Sequence, residues 1–575
     1  MANFAANEIA VDFNLSVPMA DGVRLATDVF RPRASGRYPV ILVRTPYGTH
    51  VTAAQMGGSA TDPLWAARSG YVMVFQDVRG TGASEGDLRP LRHEAGDGAV
   101  GVDWAASQEW SNGSVLMAGA SYYGATQLLA ATRKPPALKG LMPGFTSSEY
   151  YDGWTYEGGA FRLGTELMWA AGTTYADLPR RAARGEDVSA DAQALEAVVS
   201  DLPAAFARLP LAELPRQIPA LGFYGEWLAH PDRDEFWRQI AINERYDTIE
   251  VPAIHTAGWS DIFLKGTLEN YIGLRARAAN EHARANQRLI ITPWGHGVPP
   301  GEIVGEVWFG PAAGALAMAN LQKWLREFIE ATLTGDGSLG SPPVQMFVMG
   351  ANRWRDEDDW PLARAQDERL YLRSGGRLTR EPPADDVPSD FVYDPADPVP
   401  TVSGNTLLPG GGLVMGPRDR RAVRERPDVL LYTSEVLGQD VEVTGPLTAT
   451  LHVASSARDT DFTAALLDIY PDGRAIGIAD GILRLRYRNG FAEQQPAMPG
   501  EVYEIEVDLA ATSNVFKAGH RIGVEVSSSN FPRFDRNPNH GGVIAEATEY
   551  DFVIARQHVF HDSGRASYIT LPIVR

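Results

Sequence analysis

Hydrophobic and polar positions follow one pattern in the first part of the chain and other patterns further along. Up to residue 144, short apolar runs with β-branched residues alternate with segments that have apolar residues at helical spacing. The short runs predict buried strands, and the intervening segments predict helices such as 97–108. Strands separated by helices indicate βαβ units and a mostly parallel sheet. The pattern returns after residue 250, and the predicted strands are 38–44, 70–76, 114–118, 251–256, 288–292 and 344–348.

Two other patterns occupy the remainder of the chain. Between residues 145 and 245 the sequence is rich in Ala, Leu, Arg and Trp at helical spacing, which predicts a helical insertion whose prolines end the helices. Beyond residue 356, short alternating segments recur between turns marked by Gly, Pro and Asp. Many short strands at such spacing are typical of a β-sandwich, and we expect a jelly roll. Its predicted strands include 369–372, 429–432, 441–443, 447–453, 502–507 and 522–526.

The length of the chain agrees with this division. A chain of 575 residues is too long for a single hydrophobic core, so about three domains are expected. We predict an α/β core formed by residues 1–144 and 246–355, a helical cap at 145–245, and a jelly roll at 356–575. The second part of the core contains a predicted long amphipathic helix over 312–333.

Charge and composition exclude several classes of partner. The net charge is −20 at pH 7, and so acidic a surface repels nucleic acid and anionic membranes. The chain has no cysteine, which excludes disulfides, thiolate catalysis and zinc sites built on cysteine. Residues 1–8 lack the features of an export signal, and no apolar run is long enough to cross a bilayer. We predict a cytoplasmic protein that acts on a small molecule.

Two serines lie in candidate nucleophile turns of the G-x-S-x-G type, which connect a strand sharply to a helix. The sequence around Ser84 matches this pattern letter for letter, but no strand runs directly into it and no helix follows. The sequence around Ser121 has Tyr123 in place of the second glycine, with Gly124 one position later. Strand 114–118 leads straight into Ser121 and a helix follows. Because the motif works through its geometry, Ser121 is the predicted nucleophile.

The acid and the base are predicted from the positions of later strands. A serine hydroxyl is a weak nucleophile and needs a histidine base that is held by a carboxylate. In α/β-hydrolases the chain order is nucleophile, acid, histidine. Asp261 follows strand 251–256 and His296 follows strand 288–292, so both lie at carboxyl ends of strands, where such sheets place their sites. The other histidines have weaker contexts, and no pair has the spacing of a zinc protease, so metal binding has little support.

Further motifs accompany these residues along the chain. They are Arg44-Thr45-Pro46-Tyr47, Gln76-Asp77-Val78-Arg79-Gly80, Ser84-Glu85-Gly86, Gly119-Ala120-Ser121-Tyr122-Tyr123-Gly124, Gly258-Trp259-Ser260-Asp261, Pro293-Trp294-Gly295-His296 and Ser527-Ser528-Ser529-Asn530-Phe531-Pro532. With this set, the chain resembles the bacterial cocaine esterase family over essentially its whole length. α-Amino-acid ester hydrolases, glutaryl acylases and X-Pro dipeptidyl peptidases share the resemblance. The late glycine at position 124 is normal in this family, which removes the objection to Ser121.

The resemblance implies a fold, a triad and an oxyanion hole. The implied fold is an α/β-hydrolase core with an inserted helical cap and a C-terminal jelly roll. The implied triad is Ser121, Asp261 and His296, with no cofactor or metal. The implied oxyanion hole consists of the Tyr122 backbone N–H and the Tyr47 hydroxyl, and such preorganised donors stabilise the negative oxygen of the tetrahedral intermediate. Without the resemblance, Tyr47 would be interpreted as a half-buried packing residue. A homodimer is suggested by the resemblance alone.

The acyl group of the substrate is the open part of this interpretation. The family's aromatic acyl pocket corresponds to Trp154, Trp169 and Phe263, and Leu408 is placed to close the pocket from the jelly roll. These four residues are the predicted substrate-binding residues of an esterase for aromatic, benzoyl-type esters. Each aromatic residue is also compatible with an ordinary core position.

Two alternatives remain. One is an α-amino-acid ester hydrolase, an acylase or an X-Pro dipeptidyl-peptidase-like amidase with the same triad. It would use a carboxylate cluster, with Asp152, Glu157 and Glu166 as the candidates, although these residues also fit a solvated face. The other is a non-catalytic carbohydrate-binding or scaffold protein, since jelly rolls often bind sugars and a fold does not fix a function. The intact triad argues against this second alternative.

Overall fold

The computed structural model describes residues 8–296, 301–335, 339, 342–407 and 410–575. Among these residues, a sheet of ten strands forms the centre of the part before residue 358. The strands of this part are β1 (Ile9–Pro18), β2 (Arg24–Pro32), β3 (Tyr38–Thr45), β4 (Val72–Asp77), β5 (Ser111–Ala120), β6 (Leu138–Gly144), β7 (Tyr156–Glu157), β8 (Ala160–Phe161), β9 (Ala253–Ser260), β10 (Gln287–Gly295), β11 (Ile303–Val304), β12 (Val307–Trp308), β13 (Val344–Val348) and β14 (Arg353–Glu357). Its α-helices are α1 (Thr49–Gln55), α2 (Pro63–Arg68), α3 (Glu94–Ser107), α4 (Tyr122–Ala131), α5 (Leu163–Ala183), α6 (Ser189–Ser200), α7 (Leu202–Ala207), α8 (Glu213–Gln217), α9 (Gly222–Ala229), α10 (Glu235–Arg238), α11 (Leu264–Arg277), α12 (Glu281–Ala285) and α13 (Ala315–Thr334).

The sheet has the order β1-β2-β4-β3-β5-β6-β9-β10-β13-β14. The strands from β4 to β13 run parallel, whereas β1, β2 and β14 pair antiparallel at the two edges. The inner strands are buried apolar runs, as expected for parallel strands that helices cover on both faces. The sequence predicted these parallel strands except β6, and it did not predict β1 and β2. Strand β14 crosses the predicted border at residue 355.

Each face of the sheet has its own hydrophobic core. On one face, α13 packs residues such as Phe328 and Ile329 against the strands. On the other face, a single cluster runs from Leu42 in β3 through α4 to Trp237 of α10, and it reaches Leu413 in the C-terminal part. Because contacts in this cluster are continuous, one face of the sheet and the helices of residues 163–238 share an apolar core, to which the C-terminal part adds Leu407 and Leu413.

The segment between β6 and β9 carries α5 to α10, after the short β7–β8 hairpin. The prediction that prolines end these helices is wrong for Pro179, which lies inside α5. Pro179 is exposed, and so is Tyr175, whose carbonyl loses its N–H partner. Water can therefore bond that carbonyl, and the helix continues to Ala183.

The C-terminal part is an all-β domain around a separate hydrophobic core. Its strands are β15 (Gln366–Arg373), β16 (Arg377–Thr379), β17 (Asp385–Tyr393), β18 (Leu430–Thr433), β19 (Val441–Ser455), β20 (Asp461–Ile469), β21 (Ala475–Arg484), β22 (Tyr503–Phe516), β23 (Arg521–Ser527), β24 (Ala555–Asp562), β25 (Arg565–Ala566) and β26 (Tyr568–Val574), with one helix, α14 (Arg421–Arg424). Short 3₁₀ helices lie at Pro219–Leu221, Tyr246–Thr248, Pro311–Ala313, Leu485–Tyr487, Ile544–Glu546 and Glu549–Asp551.

One pair of predicted strands is a single strand in the structure. Segments 441–443 and 447–453 both belong to β19, which runs through Pro446 without a break. The pairing of β19 with β22 shifts in register directly after Pro446, so the missing N–H of the proline falls at an irregular point of the ladder. None of the helices in the described ranges has the length and apolar character needed to cross a membrane.

Candidate active site

Ser121 lies in the tight turn between β5 and α4, with φ 62° and ψ −128°. A non-glycine residue persists at positive φ only where its surroundings hold it there. The Ser121 N–H donates to the Gly144 carbonyl at 2.8 Å, which ties the turn to the end of the neighbouring strand β6. This geometry raises the side chain above the carboxyl edge of the sheet.

The structure explains why the second glycine of the motif stands at position 124. A Cβ on Gly124 would lie 2.8 Å from the Cβ of Thr146, whose segment passes close to α4. Tyr123 has room for a side chain, which extends to Thr52 with 3.3 Å between the two hydroxyl oxygens. Gly119 is required as well, because it has φ 128° and its Cβ would lie 2.5 Å from that of Tyr123. The position where α4 comes closest to the segment of Thr146, and where only glycine fits, is thus one residue later than in the G-x-S-x-G pattern.

The structure brings Ser121, His296 and Asp261 together from the carboxyl ends of β5, β10 and β9. Nε2 of His296 lies 3.0 Å from Oγ of Ser121, and Nδ1 of His296 lies 2.7 Å from Oδ2 of Asp261. Asp261 is fully buried, and its other carboxylate oxygen accepts the Phe263 N–H at 2.7 Å. The carboxylate is therefore fixed by two bonds and can hold the imidazole in one orientation.

Tyr47 follows the carboxyl end of β3 and lines the same cavity as Ser121. Its hydroxyl oxygen accepts a hydrogen bond from Nε1–H of Trp169 at 3.0 Å. Burial raises the pKa of Tyr47 well above its usual value, and the Trp169 bond offsets only part of this effect. The hydroxyl consequently keeps its proton at neutral pH and is able to donate it to an oxyanion.

Tyr122 is the first residue of α4, and the first N–H groups of a helix have no partner within the helix. Its side chain is anchored in a buried network. The Tyr122 hydroxyl donates to Oε1 of Glu94 at 3.1 Å and accepts the Leu91 N–H at 2.9 Å. Glu94 in turn forms an ion pair with fully buried Arg44, three residues before Tyr47. One buried charge pair therefore connects the segments that carry Tyr47 and Tyr122.

A cavity of about 300 Å³, which includes its open side, adjoins Ser121. It is lined by Tyr47, Leu91, Ser121, Tyr122, Ala125, Thr146, Tyr150, Trp154, Trp169, Phe263 and Leu407. Among these lining residues there is no carboxylate and no basic side chain, so the cavity suits an uncharged, largely apolar group.

Of the predicted pocket residues, Trp154, Trp169 and Phe263 do line this cavity. The ring of Trp154 lies edge-on to that of Trp169, with 5.2 Å between centroids. Leu408 lies outside the described residues, but its neighbour Leu407 reaches the cavity. Tyr150, Thr146 and Leu91 were missed, and the aromatic density of segment 150–156 is the signal that could have indicated Tyr150.

The candidate carboxylates do not gather at this cavity. Asp152 forms an ion pair with Lys265, at 2.8 Å between Oδ2 and Nζ. Glu157 pairs with two buried arginines, Arg162 and Arg533. Glu166 is buried in α5, and none of the three carboxylates is among the residues that line the cavity beside Ser121. The predicted cluster is therefore not formed beside Ser121, because Asp152 is paired with Lys265 of α11 and Glu157 with Arg162 and Arg533.

Glu166 is fully buried, and neither carboxylate oxygen has a hydrogen-bond partner among the described residues. Burial raises the pKa of this carboxyl well above its usual value, although Arg162 acts in the opposite direction. A group whose pKa is raised on folding stabilises fully below its unfolded pKa, and that contribution is lost as the pH rises towards the folded pKa. Glu166 therefore costs stability at neutral and alkaline pH.

We expect Glu166→Gln to raise Tm above the wild-type value at pH 8 by about 1 °C, because the amide carries no charge that must be buried without a partner. The gain should be smaller at pH 5, where less of the penalty has developed. Thermal unfolding of wild type and variant at pH 5 and pH 8 measures the difference in Tm. Glu196→Gln, at an exposed position of α6, is the matched control. A gain for Glu166→Gln that is equal at both pH values would contradict this account.

Ser84, in the motif that matches letter for letter, has a structural role. It is fully buried, and its hydroxyl donates to the Asp77 carbonyl at 2.8 Å and accepts the Ala26 N–H at 2.9 Å. His255 lies inside β9, where burial lowers its pKa to about 4, and its Nε2 lies 3.0 Å from Oε1 of Gln287. Both side chains are thus buried and hydrogen-bonded, and neither lines the cavity beside Ser121.

Comparison with known proteins agrees with this geometry. Residues 21–298 match the family described as X-Pro dipeptidyl-peptidase (S15 family), and residues 338–570 match the X-Pro dipeptidyl-peptidase C-terminal non-catalytic domain. The chain is 40% identical to the cocaine esterase of Rhodococcus sp. (strain MB1 Bresler), over 98% of this chain and 99% of that protein.

Two solved structures are similar over the whole chain. An aminopeptidase from a marine sediment Thaumarchaeota archaeon has a TM-score of 0.82 at 26% identity, covering 100% of this chain and 98% of that one. An α-amino acid ester hydrolase has a TM-score of 0.81 at 26% identity, with the same coverage of both chains. These likenesses establish an α/β-hydrolase fold with a C-terminal all-β domain. The chain therefore belongs to the cocaine esterase family, and it is a serine hydrolase of carboxylic esters.

Proposed function

We propose that this esterase cleaves esters of aromatic acids through an acyl-enzyme on Ser121. One observation carries the proposal: the cavity beside Ser121 is walled by aromatic and aliphatic side chains, with no charged group among its described lining residues. A flat aromatic acyl group gains apolar contact there, and rings at edge-to-face distance, such as Trp154 and Trp169, favour such a ring. The relative named cocaine esterase also acts on an ester.

The proposed mechanism has two acyl-transfer steps. His296 removes the hydroxyl proton as Ser121 attacks the ester carbonyl, while Asp261 holds the imidazole and stabilises its positive charge. Tyr47 and the Tyr122 N–H bind the oxyanion. The tetrahedral intermediate then expels the alcohol, which takes the proton from His296. A water molecule, deprotonated by His296, attacks the acyl-enzyme, and Ser121 regains its proton as the acid leaves. These steps require no cofactor.

The same machinery would suit a hydrolase of α-amino-acyl esters or amides, as the names of some structural relatives suggest. Such a substrate carries an α-ammonium group next to the carbonyl carbon. An ammonium needs a charged or strongly polar partner when it leaves water, because burying it unpaired is costly. The lining residues of the cavity offer no carboxylate, which is the reason we prefer the neutral aromatic acyl group.

We expect benzoate esters to be hydrolysed with a kcat/KM about 100-fold higher than that of phenylglycine esters at pH 5, because the α-amino group is then almost fully charged and an unpaired ammonium is costly to bury. The mandelate ester, in which a hydroxyl replaces the ammonium, is the matched neutral substrate. The kcat/KM of the mandelate ester should fall between those of the benzoate and phenylglycine esters. Steady-state rates with the same alcohol in all three esters measure the effect. Preference for the phenylglycine ester over mandelate would instead assign an amino-acyl substrate.

Three further predictions from the sequence remain proposals. We propose the division into a core of residues 1–144 and 246–355, a cap at 145–245 and a jelly roll at 356–575. We also propose that the protein forms a homodimer and that it is located in the cytoplasm. Sedimentation at enzyme concentrations measures the assembly directly. The non-catalytic alternative is not favoured, since the relatives named above are enzymes.

A further inference from the structure

Trp169, a residue of α5, touches both tyrosines of the proposed oxyanion hole. Its Nε1–H donates to the hydroxyl of Tyr47 at 3.0 Å. Its ring lies parallel to that of Tyr122, with 6.2 Å between centroids and 10° between planes. Trp169 therefore connects the segment between β6 and β9 to two residues that follow β3 and β5.

The chemistry of the Trp169–Tyr47 bond fixes where the Tyr47 proton points. An indole N–H only donates, so in this pair the phenol oxygen is the acceptor. The Tyr47 hydrogen must then be directed elsewhere. The described residues provide no acceptor for it, and the hydroxyl lies at a cavity that also contains Ser121. With the indole occupying one side of the oxygen, the O–H is left to donate into the reacting space.

The indole is itself held in place by neighbouring rings. Trp154 lies edge-on to Trp169 at 5.2 Å between centroids, and Phe223 does so at 5.9 Å. Trp227 packs on it more nearly parallel, at 5.9 Å and 30°. A side chain locked by such packing can act as a rigid donor, which orients its partner at little entropic cost.

We propose that Trp169 is a positioning residue of the oxyanion hole, and that its N–H aims the Tyr47 hydroxyl at the developing oxyanion. This proposal rests on the proposed function, because it assigns Trp169 a role in catalysis beyond that of a wall of the acyl pocket. The donor set of the hole would then be complete only when the helical segment is docked on the sheet. A donor that is both polarised by the bond it accepts and held in direction is stronger than a free phenol.

The test separates the N–H from the ring, using two substrates. Trp169→Phe removes the N–H and part of the ring, whereas β-benzothienylalanine at position 169 keeps the ring shape and removes only the N–H. For each variant at position 169, kcat is measured alone and in combination with Tyr47→Phe. The substrates are an acetate ester and a benzoate ester of the same alcohol. An acetyl group is too small to need the aromatic wall. Trp237→Phe is the matched control, because it removes a buried indole from the same apolar cluster whose ring contacts do not include Trp169.

The proposal expects both changes at position 169 to lower kcat by about 3- to 10-fold on both esters, as for the loss of one hydrogen bond. Neither change should lower kcat further in the Tyr47→Phe background, and Trp237→Phe should leave kcat on the acetate nearly unchanged. The benzothienyl variant keeps the test valid if Trp169→Phe folds poorly.

Four results would overturn the proposal. An effect confined to the benzoate ester, or one that adds fully to that of Tyr47→Phe, would make Trp169 a pocket wall only. A loss with Trp237→Phe as large as that at position 169 would assign the effect to packing. Finally, Tyr47→Phe with wild-type kcat would remove the assigned oxyanion donor, a failure of the proposed function that is distinct from the other three results.

Discussion

Replacement of Ser121 by alanine is expected to lower kcat by about 10⁴- to 10⁶-fold, with the fold and Tm retained. The hydroxyl is the atom that forms the proposed acyl-enzyme, and its oxygen lies 3.0 Å from Nε2 of His296. What remains after its loss is the stabilisation that the oxyanion hole and substrate binding provide to attack by water. Initial rates with a benzoate ester, at enzyme concentrations high enough to see the residual activity, measure the loss.

Ser84→Ala is the matched control for this prediction, because Ser84 lies in the sequence that matches the nucleophile motif letter for letter. Its hydroxyl is occupied by two backbone groups, so we expect a loss of stability but near wild-type kcat in the folded enzyme. Labelling with a fluorophosphonate, followed by peptide mapping, should place the adduct on Ser121. Full activity of Ser121→Ala, or an adduct on Ser84, would overturn the assignment of the nucleophile.

Asp261→Asn is expected to lower kcat by about 10⁴-fold while KM changes little. The carboxylate oxygen accepts the Nδ1–H of His296, and this bond keeps Nε2 free to take the proton of Ser121. An amide at this position can present its NH₂ to the ring instead, which favours the tautomer that carries the proton on Nε2. Because Asp261 is fully buried, no water can easily replace the carboxylate.

Asp152→Asn separates this role from a general effect of losing a buried carboxylate. Asp152 is largely buried and paired with Lys265, but it lies outside the cavity that contains Ser121. Its substitution should change Tm more than kcat. A loss of less than about tenfold for Asp261→Asn, at unchanged Tm, would mean that the base is oriented by a different group.

Local patterns were sufficient to predict the elements that carry the triad. Strand β13 falls at the predicted residues 344–348, and the turns after β5, β9 and β10 hold Ser121, Asp261 and His296 as the sequence indicated. This succeeded because buried parallel strands are continuous apolar runs that need no partner to be recognised. The three side chains meet because parallel strands end at one edge of the sheet.

The edge strands escaped prediction for the opposite reason. In β1, most positions are half-exposed or exposed, and its pairing with β2 shifts between Asp12 and Leu15. A strand with one solvated face and a bulge has neither a continuous apolar run nor a strict alternation. Its existence depends on the neighbour that covers it, which a single sequence does not reveal.

The contacts around the site were the least predictable. The bond from Trp169 to Tyr47 joins residues 122 positions apart, and that from Tyr122 to Glu94 joins residues 28 apart. Charge pairs were equally hidden: Asp152 looked available for an ammonium, yet Lys265, more than 100 residues later, neutralises it. Such pairings arise from tertiary packing. The sequence therefore indicated candidate site residues but not the residues with which they pair.

Part of the cavity wall comes from segments outside the layer that carries the proposed reacting groups. The proposed triad follows strands β5, β9 and β10, and Phe263 of the wall lies beside it, whereas Trp154 and Leu407 come from segments that lie outside the sheet. Substitutions at these two positions can therefore change the accepted substrate while the proposed machinery of acyl transfer is kept. That separation gives one ancestral scaffold a route to descendants that hydrolyse esters or peptides, and it makes the outer segments the place where a laboratory search for new substrate ranges should begin.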